Sequence, residues 1–205
     1  MMMQQRRSAG IVDDYLKLAG TDAGEMERRT PRQIAMLRLP WLLGTMLIEL
    51  GAGLVIHRFD DVLQRVILLA AFMPVISAVS GNVGLQSAAI VVRGLDSGLV
   101  ALSDWKRHVR RELSATLLMA LVCGGTLGLI GVLWSRHLAL GLVIGFALTC
   151  SMVTAGLMGS VIPMVSKRLG FDPATTAGPF ETAFQDVVGF AVFLWMASLL
   201  ISVID

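Results

Sequence analysis

Charge is scarce in this sequence. Asp, Glu, Lys and Arg make up 16% of it, hydrophobic residues make up 55%, and the mean hydropathy is +0.73. Soluble domains carry more of the first group and less of the second. A core of this size cannot hide so much apolar surface from water, so lipid must solvate most of it. Cysteine is almost missing, and the two present, Cys123 and Cys150, sit inside apolar runs. They read as small hydrophobes in helix cores rather than as a disulfide or a metal site. A secretory leader is lacking, because MMMQQRRSAGIVDDYLKLAG is too polar and shows no cleavage site. A Gly-Lys pair is lacking as well, which excludes a Walker A phosphate loop. Histidine is limited to His57, His108 and His137, all in loops or at the ends of apolar runs and without metal spacing. The aspartates do not cluster either, which leaves an intramembrane enzyme as the weakest alternative. No internal repeat or low-complexity tract is present, and no nucleic-acid partner is expected.

What is abundant is long apolar segments. Five stand out, at about Leu39–Ile56, Val62–Val92, Leu113–Trp134, Leu138–Val165 and Thr175–Ile204. Each reaches the roughly 18–20 residues that a helix needs to cross hydrocarbon. The expected fold is therefore all-α, an integral membrane protein with five transmembrane helices. Residues 1–38 form a short polar segment before it, and residues 39–205 form the membrane domain. Of the 17 Lys and Arg residues, fourteen fall in the N-terminal segment, in the loop between spans two and three, and in the loop between spans four and five. Only Arg58, Arg65 and Arg136 fall on the other side. Such a bias puts the N-terminus in the cytoplasm and, after five crossings, the C-terminus outside. Glycines recur in span three (Gly124, Gly128, Gly131) and span four (Gly141, Gly145), where close helix packing within the chain is favoured over a dimer seam.

Some residues break the pattern of a plain span. Pro74, Pro163 and Pro179 free the carbonyls of Ala70, Gly159 and Thr175, which must find partners or line a wet cavity; a simple kink is the competing reading. The second half of span two, SGNVGLQSAAIVVRG, places Ser80, Asn82, Gln86 and Ser87 as buried polar groups in a hydrophobic run, with Asn82 and Gln86 four apart on one face. They are either interhelical hydrogen-bond glue or the wall of a hydrated path. The loop SKRLGFDPATTAGP ends one helix at Lys167, Arg168 and Gly170, then starts another with Asp172 as N-cap and Pro173 in its first turn. Asp186 lies about fourteen residues into that helix, roughly 20 Å along its axis, with Thr182 and Gly189 about a turn to either side. The other acids within spans are Glu49 and Glu181, and no basic residue lies mid-membrane. A carboxylate at that depth is costly and usually functional, and a cation from solution is the missing counter-charge.

FMPVISAVSGNVGLQSAAIVVRGL, then DSGLVALSDWKRHVRRE, and later DPATTAGPFETAFQDVVGF resemble the transmembrane domain of the MgtE magnesium transporter family, from about Pro40 to Asp205. The resemblance implies a homodimer in the lipid bilayer with a pore on its two-fold axis, lined by spans two and five. It implies a central magnesium site around Asp186 of each subunit, with Thr182 and Asn82 helping to hold the ion's water and Asp172 at the cytoplasmic mouth. Gln86, Ser87, Gly178, Pro179 and Gly189 are the expected pore lining, with Glu181 and Glu49 as candidate accessory acids. Most members of the family carry a cytosolic N domain and paired CBS domains that sense magnesium. Met1–Arg38 is too short for either, so the family's gating does not carry over, and an unidentified regulatory partner is left open. The expectation is passive inward conduction of Mg2+ across a bacterial inner membrane. Transport of another divalent cation, such as cobalt or manganese, and sodium-coupled efflux are the alternatives.

Overall fold

The computed structural model describes the backbone of residues 30–171 and 173–204, and within it the side chains except those of 37, 38, 41, 174–181 and 200–204. Everything regular among the described residues is helical: α1 (Pro31–Arg58), α2 (Asp60–Arg65), α3 (Leu68–Asp96), a 3-10 turn (Leu102–Asp104), α4 (Trp105–Ser135), α5 (Leu138–Arg168) and α6 (Pro173–Ile204). Four of these stretches, in α3, Leu102–Ser135, α5 and α6, are long and apolar enough to cross a membrane. The first apolar run is carried by α1, a single helix of 28 residues.

α1 starts eight residues before the Leu39 boundary because the local chemistry favours it. The Thr30 hydroxyl accepts from the Gln33 N–H at 3.5 Å, the Gln33 side chain accepts from the Thr30 N–H at 3.0 Å, and Pro31 occupies the first turn. This is a capping box with proline where its missing N–H does no harm. The apolar run from Val62 does not form one helix. It breaks at Val66, whose backbone leaves the helical region (φ −131°, ψ 75°), so that α2 and α3 are separate. α4 also begins eight residues before Leu113, because the basic segment from Trp105 continues the same helix into the polar zone. α5 closes at Arg168 with Gly170 in the left-handed region (φ 81°), and the Phe171 N–H reaches back to the Ser166 carbonyl at 2.9 Å. That ending is the one expected from Lys167, Arg168 and Gly170.

α5 is the central helix and packs on α4, α6 and α3, while α1 leans mainly on α6. The innermost side chains are Leu69, Phe72 and Ile76 of α3, Ile144, Leu148 and Met152 of α5, and Phe193 and Leu194 of α6. The α4–α5 seam is made by glycine. A Cβ on Gly145 would sit 2.6 Å from the Gly124 carbonyl oxygen, and one on Gly128 would sit 2.8 Å from that of Gly141. The glycines of spans three and four thus bring two backbones of the same chain together, and Thr149 ties the seam by donating to the Ala120 carbonyl at 3.2 Å. The outer faces of α1 and α4 are greasy and open, with Leu47, Leu54, Leu118 and Val122 each about two-thirds exposed. Such a surface suits lipid, not water.

Candidate functional site

Asp186 sits thirteen residues beyond Pro173 in α6 and is 9% exposed. Two side chains from other helices reach its carboxyl group: the Ser77 hydroxyl of α3 and the Glu49 carboxyl of α1. Its Oδ1 has no hydrogen-bond partner among the described residues. The approach of α1 to α6 at this level is close, since a Cβ on Gly51 would meet the Val187 side chain at 3.4 Å. Two half-buried or buried acids therefore face one another beside a single hydroxyl, with a carboxylate oxygen left over. Two ionised carboxylates in contact repel, and either a proton held between them or a bound cation relieves the repulsion.

The preceding residue, Gln185, points elsewhere and is fully buried. Its amide nitrogen donates to the Ser151 hydroxyl of α5 at 2.9 Å and to the Ser80 hydroxyl of α3. Ser151 in turn donates to Ser80 at 3.0 Å, and Ser80 donates to the Ile76 carbonyl of its own helix. Gly189 faces this cluster, because a Cβ there would lie 2.6 Å from the Ser151 oxygen. Gly189 thus belongs to the α5–α6 contact. Thr182 faces Gly81 of α3, with its methyl 3.9 Å from where a Cβ would be.

The polar residues of α3 divide. Ser80 and Ser87 are buried, whereas Asn82 and Gln86 are exposed on the outer side of the single chain, contrary to the expectation that all four are buried. The helical period explains the split: 80 and 87 are seven apart and share one face, while 82 and 86 lie on another. Ser87, expected on the wall beside Gln86, is turned toward α4 and α5. There it donates to Glu112 Oε1 at 2.7 Å and abuts Gly159. Asp172 lies outside the described residues; Gly178, Pro179 and Glu181 fall in the first turns of α6, with side chains outside the description. Among the described residues no group of three or more His, Cys, Asp or Glu comes together as a metal cage. Reading the sequence missed Ser77, Ser151 and Glu112. Gln185 carried a signal, an amide in an apolar run next to the key acid.

A family model for MgtE, described as a divalent cation transporter, matches residues 73–196. That is more than half of the chain and takes in α4, α5 and most of α3 and α6. The chain belongs to the MgtE family. The chain is 34% identical over 186 residues to the magnesium transporter MgtE of Enterococcus faecalis, with 91% of this chain and 41% of that protein covered. It is 30% identical over 189 residues to the MgtE of Bacillus subtilis (92% and 42% covered) and 31% identical over 199 residues to that of Thermus thermophilus (96% and 44% covered). The chain thus spans about two-fifths of the length of these relatives. MgtE is a family of transporters rather than enzymes. The MgtE family match includes Ser77, Ser80, Ser151, Gln185 and Asp186 but stops short of Glu49 on α1. The pairwise matches leave out at most a tenth of the chain, so they do include α1.

Proposed function

We propose that this chain is the membrane-embedded, five-span part of a divalent cation transporter whose substrate is Mg2+, working as a homodimer with the ion path on the two-fold axis. The observation that carries the reading is the buried Asp186 carboxylate, with an oxygen lacking a hydrogen-bond partner among the described residues, in a chain of the MgtE family. Mg2+ demands octahedral oxygen coordination and gives up its waters reluctantly. Asp186, with Glu49 beside it, grips the hydrated ion through those waters, and the Ser77 and Thr182 hydroxyls hold the outer ones. A second copy doubles the negative charge, so one strategic acid per chain suffices. The exposed amides of Asn82 and Gln86 find their solvent in the wet seam between the copies, since they are unfavourable against lipid. Asp172 collects cations at the cytoplasmic mouth. The basic residues orient the N-terminus to the cytoplasm of a bacterial inner membrane. An inside-negative potential is worth about 2.3 kcal/mol per charge per 100 mV, and about twice that for a dication, so inward flow needs no coupled reaction.

The test is Mg2+ uptake into sealed vesicles holding the purified chain, with a potassium-diffusion potential as the only drive. Uptake is expected to rise with voltage, to persist without ATP, and to fall at least about tenfold in Asp186→Ala, the scale of losing a charge-assisted contact. Wild-type uptake by that variant defeats the site. Uptake that requires a sodium gradient identifies an exchanger instead, and preference for cobalt or manganese in competition changes the substrate.

A further inference from the structure

Gln185 has no place in ion binding as described, yet it is among the most deeply buried polar side chains of the molecule. Its hydrogen bonds have a direction. Ser80 has one proton, which goes to the Ile76 carbonyl, so Ser80 must accept from both Ser151 and Gln185. Gln185 therefore turns its amide nitrogen, not its oxygen, toward the two hydroxyls, and both amide hydrogens are used. The cluster joins three helices, α3, α5 and α6, at one point. The amide oxygen left over is itself buried and has no partner among the described residues, a cost that a core filled with leucine does not bear.

The other deeply buried contacts of α6 include apolar ones, from Phe193, Leu194 and Ala197 in the core. Its sequence after Asp186, VVGFAVFLWMASLLISVI, is apolar on all sides, and lipid and protein interior solvate such a helix about equally well. Directional hydrogen bonds do what the hydrophobic effect cannot, since they favour one angle. The adjacent acid is the group that feels that angle. With side-chain tips about 5–6 Å from the helix axis, a turn of about 20° moves the Asp186 carboxylate by about 2 Å. That is enough to separate it from Ser77 and Glu49. Gly189 completes the device, because any side chain there would push Ser151 away from Gln185.

We propose that Gln185 is a positioning residue: with Ser80, Ser151 and Gly189 it locks the rotation of α6 and thereby sets where Asp186 presents its carboxylate to the cation. This rests on the reading of Asp186 as the ion-binding acid. Two measurements separate the lock from that reading. The first is the Mg2+ concentration for half-maximal uptake in vesicles. Gln185→Met keeps the length of the side chain and removes both donors, and is expected to raise that concentration about tenfold. The triple variant Ser80→Ala, Ser151→Ala, Gln185→Met leaves no hydroxyl stranded. It is expected to regain wild-type thermal stability while keeping the weakened half-saturation, a combination that a merely structural role does not produce.

The second measurement reads helix rotation without the ion. In a background of Cys123→Ala and Cys150→Ala, Gly51→Cys and Val187→Cys place two thiols across the α1–α6 contact. Their disulfide is expected to form several-fold more slowly when the triple substitution is added. Unchanged disulfide formation overturns the lock, whatever the transport result. Slowed formation with wild-type half-saturation in the triple variant overturns its link to the cation. Asp186→Asn with normal half-saturation overturns the binding site itself and leaves the rotation assay to judge the lock alone.

Discussion

At the scale of single residues, the molecule keeps its polar groups on two different terms. Ser87 and Glu112 show the first, a paired contact at 2.7 Å between α3 and α4 at the level of the basic loop. Ser87→Ala leaves the half-buried Glu112 carboxylate without that donor and is expected to lower stability by about 1 kcal/mol, read as a drop in the detergent-solubilised melting temperature. Asp186 shows the second, an acid kept where it is not fully satisfied. The first kind is not legible in the sequence. Ser80 and Gln185 are 105 positions apart and Ser80 and Ser151 are 71 apart, and no local spacing announces such partners. The second kind is legible, because depth along a helix follows from counting residues and a carboxylate at mid-depth is rare enough to stand out. Glu49 is visible as an acid in a span, but its place beside Asp186 depends on how α1 and α6 meet.

Helices and their contacts make up the next scale. Gly128 lies under Gly141 with no room for a side chain. Gly128→Val is expected to cost about 2 kcal/mol or more by forcing the seam apart, whereas Gly125, which has nothing within 4 Å of its added Cβ, tolerates Ala. Thermal unfolding of the two variants side by side checks the contrast. The recurrence of glycines along spans three and four is enough to announce this seam, since close approach is what small residues permit. Helix ends are less legible. The apolar run from Val62 gives no sign of its break at Val66, because apolarity reports the solvent and not the backbone. The start of α4 at Trp105 is hidden for the opposite reason: a polar segment can be as helical as an apolar one. The end of α5 is readable from Gly170, whose positive φ is a backbone demand that few other residues meet.

On the scale of the whole molecule, the feature that most needs a partner is the outer face of α3. Asn82 and Gln86 lie in the middle of an apolar span and are exposed on the single chain. If they line the axis of a dimer, Asn82→Cys in a cysteine-free background cross-links into a disulfide dimer in native membranes, while a cysteine at the lipid-facing Val122 of α4 does not. Equal cross-linking at both positions counts against the axis. The number and rough limits of the apolar runs come directly from composition, because a bilayer imposes one length on every crossing. Which face of each helix turns inward does not, since all sides of such helices are apolar.

The shared glycine seam has a mechanical result. With the two backbones in direct touch, α4 and α5 have no layer of side chains between them that could slide or repack, so they move as one strut. Any rearrangement within the chain is therefore expected at contacts other than this seam.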